Sequence, residues 1–95
     1  DKYQIDGPFA LDNAVSESAA RHKGISSPVA GKADILIVPD MWSGNIFTKA
    51  LVFFAHMKSA GTLNGLDSPV VMTSRTDTTE NKYLSILTAV LQTIQ

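Results

Sequence analysis

The sequence contains no cysteine, only one tryptophan, no excess of charge of either sign and no long hydrophobic run. The missing cysteines exclude a disulfide framework and a thiolate metal site. A formal net charge of −1 provides no field that would attract nucleic acid or an anionic membrane. The apolar runs fall well short of the roughly 20 residues that cross a bilayer. We therefore expect no nucleic acid and no membrane as partners, and a cytoplasmic location is compatible with a cysteine-free chain.

The residues that are present indicate a folded segment. Ninety-five residues, of which 44% are hydrophobic, are enough for one small domain. The sequence begins DKYQID, with neither an initiator methionine nor a signal-peptide pattern. We interpret residues 1–95 as a single domain truncated from a longer protein.

Strand-like and helix-like segments alternate along the chain. Three strands are predicted: KYQID, with Tyr3 and Ile5 on one side and a Gly-Pro turn after it, and the apolar runs ADILIVP and PVVMT. Helical spacing predicts helices over 11–23 and 44–60, ended by Gly24 and Gly61, and Asp77 followed by Glu80 predicts the capped start of a third. Apolar runs without alternation are typical of strands covered on both faces. The order predicts an α/β fold, a mostly parallel sheet with helices on both faces.

Two of these helices carry apolar stripes. In the second, the predicted inward-facing stripe is Ile46, Ala50, Phe53, Phe54 and Met57; the last helix repeats the pattern at Tyr83, Leu87, Val90 and Ile94.

Three loops, at 6–8, 39–45 and 74–77, follow the predicted strands. Ligands of open α/β sheets bind beyond the carboxyl ends of the strands, so we expect these loops to share one rim. Asp40, Gly44 and Asn45 lie in the second loop, where a glycine and a helix N-terminus favour anion binding. Taken alone, Gly44 and Asn45 are better explained as a turn and a cap. Lys49, one turn further on, either adds positive charge to this site or is simply solvated.

The third loop contains Ser74, Arg75 and Asp77. The planar guanidinium of Arg75 matches a phosphate or a developing oxyanion. Ser74 can hydrogen-bond a substrate, or act as a nucleophile beside a base, although no GxSxG elbow surrounds it. Alternatively, Ser74 satisfies a strand end and Arg75 pairs with Asp40 or Asp77. Histidines and carboxylates lack metal-ligand spacing, so we expect no metal site.

Three blocks of the sequence resemble, in order, the carboxyl-terminal part of the phosphate acyltransferases. They are DGPFALDNAVS, SPVAGKADILIVPDMWSGNIFTKAL and SPVVMTSRTDT, and they look more similar to the phosphate butyryltransferase branch than to the acetyltransferase branch. The resemblance implies part of an isocitrate/isopropylmalate dehydrogenase-like fold and a homodimer. It also implies conversion of acyl-CoA and phosphate to acyl phosphate and CoA. Coenzyme A would be a substrate, with no tightly bound cofactor, and butyryl or branched short-chain groups would be the acyl groups transferred.

The resemblance also assigns site residues. Ser74 and Arg75 match the serine–arginine pair of the family's active cleft, with Arg75 on the phosphate or acyl carbonyl and Ser74 near the carbonyl or the CoA sulfur. Gly44 and Asn45 would line the cleft, and Asp40 and Asp77 are further candidates for substrate binding. Asn81 stands where the acetyltransferase branch has an aspartate regarded as the base. Because the family's other phosphate-binding arginines lie upstream, we expect this chain alone to be inactive.

Two other functions stay open at this stage. One is an NAD-dependent dehydrogenase of the same fold. The other is a non-catalytic self-association module or decayed paralogue, in which Ser74 and Arg75 have lost any role in acyl transfer.

Overall fold

A computed structural model describes residues 2–94. The chain divides into two compact units, Asp1–Pro39 and Asp40–Gln95. Its helices are α1 (Leu11–Val15), α2 (Glu17–His22), α3 (Met41–Phe53) and α4 (Thr79–Gln92). No helix within residues 2–94 is long and apolar enough to cross a membrane.

The first unit is built from α1 and α2, which pack together around small side chains. The helix predicted over 11–23 is interrupted at Ser16, whose backbone is extended and whose hydroxyl accepts the Ala19 N–H at 3.2 Å. The serine side chain thus caps a new helix instead of continuing the old one. Gly24 ends α2 in the left-handed region, at φ 69°, as predicted. The buried apolar residues of this unit are Ala14, Ala20 and Ala30.

In the second unit, α3 begins and ends earlier than the predicted range of 44–60. Asp40 caps it by accepting the Ser43 N–H at 2.7 Å, which extends the helix back to Met41. Its end lies well before Gly61, because His56 adopts a positive φ of 55° and the Met57 N–H returns to the Leu51 carbonyl at 3.0 Å. The prediction that Gly61 stops the helix was therefore wrong.

The start of α4 also differs from the prediction. Asp77 is not its N-cap: the Thr78 hydroxyl accepts the Asn81 N–H at 3.0 Å and caps the helix. Glu80 consequently forms no capping box with Asp77, and instead pairs with Lys58 at 2.9 Å. The carboxylate of Asp77 is engaged elsewhere, by the Ser74 N–H.

A polar face of α4 holds the segment 58–62. Asn81 accepts the Ser59 N–H at 3.1 Å, and Ser85, one turn later, accepts the Gly61 N–H at 3.0 Å. Further along the same helix, Gln92 donates to the Thr62 hydroxyl at 3.0 Å. Asn81 and Ser85 are buried, at 4% and 5% exposure, so their partners replace water as hydrogen-bonding groups.

The apolar stripes of α3 and α4 remain on the surface of this structure. Ile46, Phe53, Phe54 and Met57 are exposed, as are Tyr83, Leu87, Val90 and Ile94. The prediction that the α3 stripe faces inward is wrong within the second unit, where no described residue of α3 is buried.

The three segments predicted as strands form no β-sheet within residues 2–94; an isolated antiparallel bridge joins Leu63 to Val70. In the second segment, Ile37 is 90% exposed. A strand forms only where its backbone pairs with at least one neighbouring strand, and residues 2–94 provide none for this segment. The α/β fold and the single-domain interpretation thus stay predictions.

Candidate active site

Residues 74–77 form a turn that is closed by two reciprocal hydrogen bonds. The Ser74 N–H donates to Asp77 Oδ2 at 2.9 Å, and the Asp77 N–H donates to the Ser74 carbonyl at 3.1 Å. Within the turn, the Thr76 N–H donates to Ser74 Oγ at 3.3 Å. This "74–77 turn" fixes the backbone on either side of Arg75, since both ends are tied to each other.

Arg75 is exposed, and its predicted acidic partners do not neutralise it. Within residues 2–94, neither Asp40 nor Asp77 forms an ion pair with Arg75. The carboxylate of Asp77 instead receives the backbone of Ser74. Because a guanidinium has five N–H donors and no acceptor, Arg75 is suited to bind an anion that approaches from solvent.

Lys49 brings α3 to the 74–77 turn. Its Nζ donates to Ser74 Oγ at 3.3 Å and to Thr76 Oγ1 at 3.2 Å. The two hydroxyl oxygens lie 3.0 Å apart. The Lys49 ammonium therefore contacts the third loop and is not simply solvated. The alternative that it adds positive charge to the second-loop site stays a prediction. Thr76 was missed by the sequence reasoning; its one signal was a hydroxyl two residues after Ser74, on the other side of Arg75.

Asp40, Gly44 and Asn45 lie at the first turn of α3. The Ser43 N–H is the main cause that holds the pKa of the Asp40 carboxyl below its usual value of 3.8, followed by the Ser43 hydroxyl. Gly44 donates its N–H to the Asp40 carbonyl at 3.2 Å. Among the described residues of this unit, no hydrogen bond or ion pair joins these three to the 74–77 turn. Their link to it is Lys49, one helical turn after Asn45.

A shallow groove of about 380 Å³ runs along this face of α3. It has polar groups at one end and apolar side chains over the rest, and its lining is Asn45, Ile46, Lys49, Ala50, Phe53 and Phe54. The Lys49 Nζ lies 5.9 Å from the centroid of the Phe53 ring. A surface of this kind can accept a short apolar group next to a charged one.

Asn81 lies apart from the 74–77 turn in its hydrogen bonding. Its side-chain oxygen accepts from Ser59, and its N–H completes the cap of α4. As an amide, it cannot take up a proton at neutral pH. The structure thus gives Asn81 a role in holding the 58–62 segment. No cluster of three or more metal-binding side chains is found in residues 2–94.

Comparison with known proteins shows which family the chain is similar to. The sequence profile described as Phosphate acetyl/butaryl transferase matches residues 1–90. The chain is 65% identical over 82 residues to a phosphate acetyltransferase from Thermotoga maritima, covering 86% of this chain and 28% of that protein. It is 52% identical over 87 residues to a phosphate butyryltransferase from Clostridium beijerinckii, covering 92% and 29%.

A solved structure is similar as well. A branched-chain phosphotransacylase from Enterococcus faecalis has 48% identity and a TM-score of 0.81, covering 92% of this chain and 33% of that one. The chain therefore spans about a third or less of the proteins it matches. The relative named for acetyl transfer has higher identity than the one named for butyryl transfer, so these names do not favour the butyryl branch. The match over residues 1–90 establishes that the chain belongs to the phosphate acetyl/butaryl transferase family.

Proposed function

We propose that this sequence forms part of a phosphate acyltransferase, which converts acyl-CoA and phosphate into acyl phosphate and free CoA. The observation that carries the proposal is the 74–77 turn, which holds Ser74 beside a lysine and leaves Arg75 exposed, with no acidic partner among residues 2–94. Negative charge accumulates in this reaction on the phosphate, on the carbonyl oxygen and then on the sulfur. A cluster of cationic groups and hydroxyl donors is suited to stabilise that charge.

The reaction balances without a cofactor. A phosphate oxygen bonds to the thioester carbon, giving a tetrahedral centre whose oxygen is negative. The carbon–sulfur bond then breaks, its electron pair leaves with the sulfur, and the proton lost by the phosphate hydroxyl ends on the CoA thiol. We assign Arg75 to the phosphate or the carbonyl oxygen and Ser74 to the sulfur or the same oxygen.

The other candidates receive less direct roles. Gly44 and Asn45 would line the cleft at the start of α3, next to the groove that would take the acyl group. Asp40 and Asp77 would act through the backbone that they hold, because their carboxylates already accept the N–H groups of Ser43 and Ser74. With Asn81 unable to act as a base, proton transfer would depend on positioning of phosphate against the thiol.

The remaining part of the cleft would come from polypeptide outside residues 1–95, so that the chain alone is inactive. We further propose a cytoplasmic homodimer, with the exposed apolar stripes of α3 and α4 covered in the assembled protein. The acyl group would be butyryl or a branched short chain. This preference is supported by the branched-chain title of the similar structure, and the higher identity to a phosphate acetyltransferase makes acetyl-CoA the substrate to compare it with.

The test uses the full-length protein that carries this sequence. Release of CoA thiol from butyryl-, isobutyryl- and acetyl-CoA is followed with and without phosphate, and acyl phosphate is trapped with hydroxylamine. We expect phosphate-dependent release with stoichiometric acyl phosphate, fastest for the four-carbon substrates. Faster release from acetyl-CoA would overturn the acyl preference alone. No release from any of the three would overturn the proposed activity.

A further inference from the structure

The contact between Lys49 and the 74–77 turn is a tertiary contact between separate elements. The residues that it joins lie 25 and 27 positions apart in the sequence. The lysine is half-buried, and its ammonium lies 5.9 Å from the centroid of the Phe53 ring while it donates to the two hydroxyls, so the ammonium is less free to move than on an open helix face. The three donor–acceptor distances in the cluster, 3.0–3.3 Å, lie toward the long end for hydrogen bonds.

This contact limits the hydrogen bonds that the Ser74 hydroxyl can make. A serine hydroxyl has one proton to donate and two lone pairs that accept. The Lys49 ammonium can only donate, and so can the Thr76 N–H; both point at Ser74 Oγ, each at 3.3 Å. With both lone pairs engaged, the hydroxyl of Ser74 can act only as a donor. In the structure the oxygen within reach of that proton is Thr76 Oγ1 at 3.0 Å.

We propose that Lys49, together with Thr76, is a positioning residue that presents the Ser74 hydroxyl as a hydrogen-bond donor to a negatively charged substrate atom. This inference rests on the proposed acyltransferase function. It makes Ser74 unsuited to act as a nucleophile, since no side chain within residues 2–94 accepts its proton as a base and its lone pairs are engaged. The substrate atom is a phosphoryl oxygen or a sulfur that is becoming a thiolate, and each would replace Thr76 Oγ1 as the acceptor.

The kinetic test compares Lys49→Met with Lys49→Arg and with Lys82→Met in the full-length protein. Lys82 supplies the same charge from α4 and donates no hydrogen bond to Ser74 or Thr76 in the described residues. We expect Lys49→Met to lower kcat by about 10- to 100-fold. Lys49→Arg should recover most of the loss, and Lys82→Met should stay within about twofold. A rise in the KM for phosphate together with the fall in kcat would assign the phosphoryl oxygen, whereas a fall in kcat at unchanged KM would assign the sulfur.

A second pair of variants tests the partner hydroxyl. Thr76→Val removes Oγ1 at nearly constant volume, whereas Thr76→Ser retains it. Because Thr76 Oγ1 also accepts from the Lys49 ammonium, we expect Thr76→Val to lose activity as Lys49→Met does. Thr76→Ser should keep most of the wild-type activity. An active protein in which Lys49→Met has unchanged kcat and KM would overturn the inference and leave the proposed function standing.

A measurement that does not depend on enzymatic activity distinguishes the proposed role of Lys49 from the proposed acyltransferase function. Hydrogen exchange of the Thr76 N–H, which is bonded to Ser74 Oγ, should be about tenfold faster in Lys49→Met than in Lys82→Met. Unchanged exchange would contradict the role of Lys49 in ordering the hydroxyl. A wild-type protein without acyl transfer but with this exchange difference would overturn the proposed function, and would keep the assignment of Lys49 to Ser74.

Discussion

Ser74 and Asp77 hold each other through the backbone. The amide of Ser74 donates to the carboxylate of Asp77 at 2.9 Å, and the amide of Asp77 returns to the carbonyl of Ser74 at 3.1 Å. Arg75 and Thr76 lie between these ends, so their direction depends on a carboxylate that does not need to contact substrate. The carboxylate of Asp77 thereby sets the backbone geometry of the 74–77 turn.

Replacing Asp77 should separate its acceptor role from its charge. Asp77→Ala removes the acceptor for the Ser74 N–H and should cost about 1 kcal/mol of unfolding free energy, with a fall in acyl transfer of roughly tenfold. Asp77→Asn keeps an oxygen that can accept the same hydrogen bond and should retain most activity. Denaturant unfolding and the CoA-release assay on full-length variants measure both effects. Equal losses in the two variants would show that the charge matters more than the turn.

Asn81 should behave as a structural residue. Asn81→Leu removes the buried side-chain oxygen that accepts the Ser59 N–H, which should cost about 1 kcal/mol. Asn81→Asp keeps an acceptor for that N–H and should not raise the rate of acyl transfer. Urea unfolding and steady-state rates of the full-length variants give the comparison. A large gain in rate for the aspartate variant would instead place this residue at the reacting atoms.

Gly31 should tolerate no side chain. Its φ is 81°, and a Cβ there would lie 2.6 Å from the Cα of Glu17, a backbone atom that cannot move aside cheaply. Gly31→Ala should therefore cost about 2–4 kcal/mol. Gly24→Ala is the matched control, because its φ is 69° but nothing lies within 4 Å of the added atom; about 1 kcal/mol is expected. Similar thermal shifts for the two variants would contradict the close approach to Glu17.

The cap of α3 should add a pH dependence. Hydrogen bonding from Ser43 lowers the pKa of Asp40 in the folded state below its usual value of 3.8. Its contribution to stability is therefore complete above the unfolded-state pKa and is lost as the pH falls through the folded-state pKa. Between about pH 5 and pH 2, the unfolding free energy should fall less steeply in Asp40→Asn than in the wild type. Asp67→Asn, which removes a carboxylate that caps no helix, measures the effect of net charge alone.

Local signals predicted much of the helical structure. Gly24 ends a helix in the left-handed conformation because glycine adopts that conformation at little cost. The start of α4 was misplaced by one residue: Asp77 and Thr78 are both good caps, and the spacing to Glu80 favoured the wrong one. The structure assigns the cap to Thr78 because Asp77 instead accepts the Ser74 N–H, a local competition that capping patterns do not rank.

The contacts between distant residues could not be predicted in the same way. Ser74 and Arg75 were identified from their position after an apolar run, but the approach of Lys49 joins residues that only the tertiary fold brings together. The strands are a further case, since the pairing of residues such as Ile37 depends on neighbours that residues 2–94 do not supply. Their burial in a parallel sheet stays a prediction.

The role proposed for Arg75 is to stabilise negative charge in phosphate-dependent acyl transfer. The most direct measurement compares CoA release from butyryl-CoA by the full-length protein and by its Arg75→Gln variant, each with and without phosphate; Arg21→Gln serves as control for the loss of one arginine. We predict CoA release by the wild type only when phosphate is present. The rate in Arg75→Gln should be lower by a factor of at least about 100. Release that is independent of phosphate, or a rate unchanged by Arg75→Gln, would contradict the account.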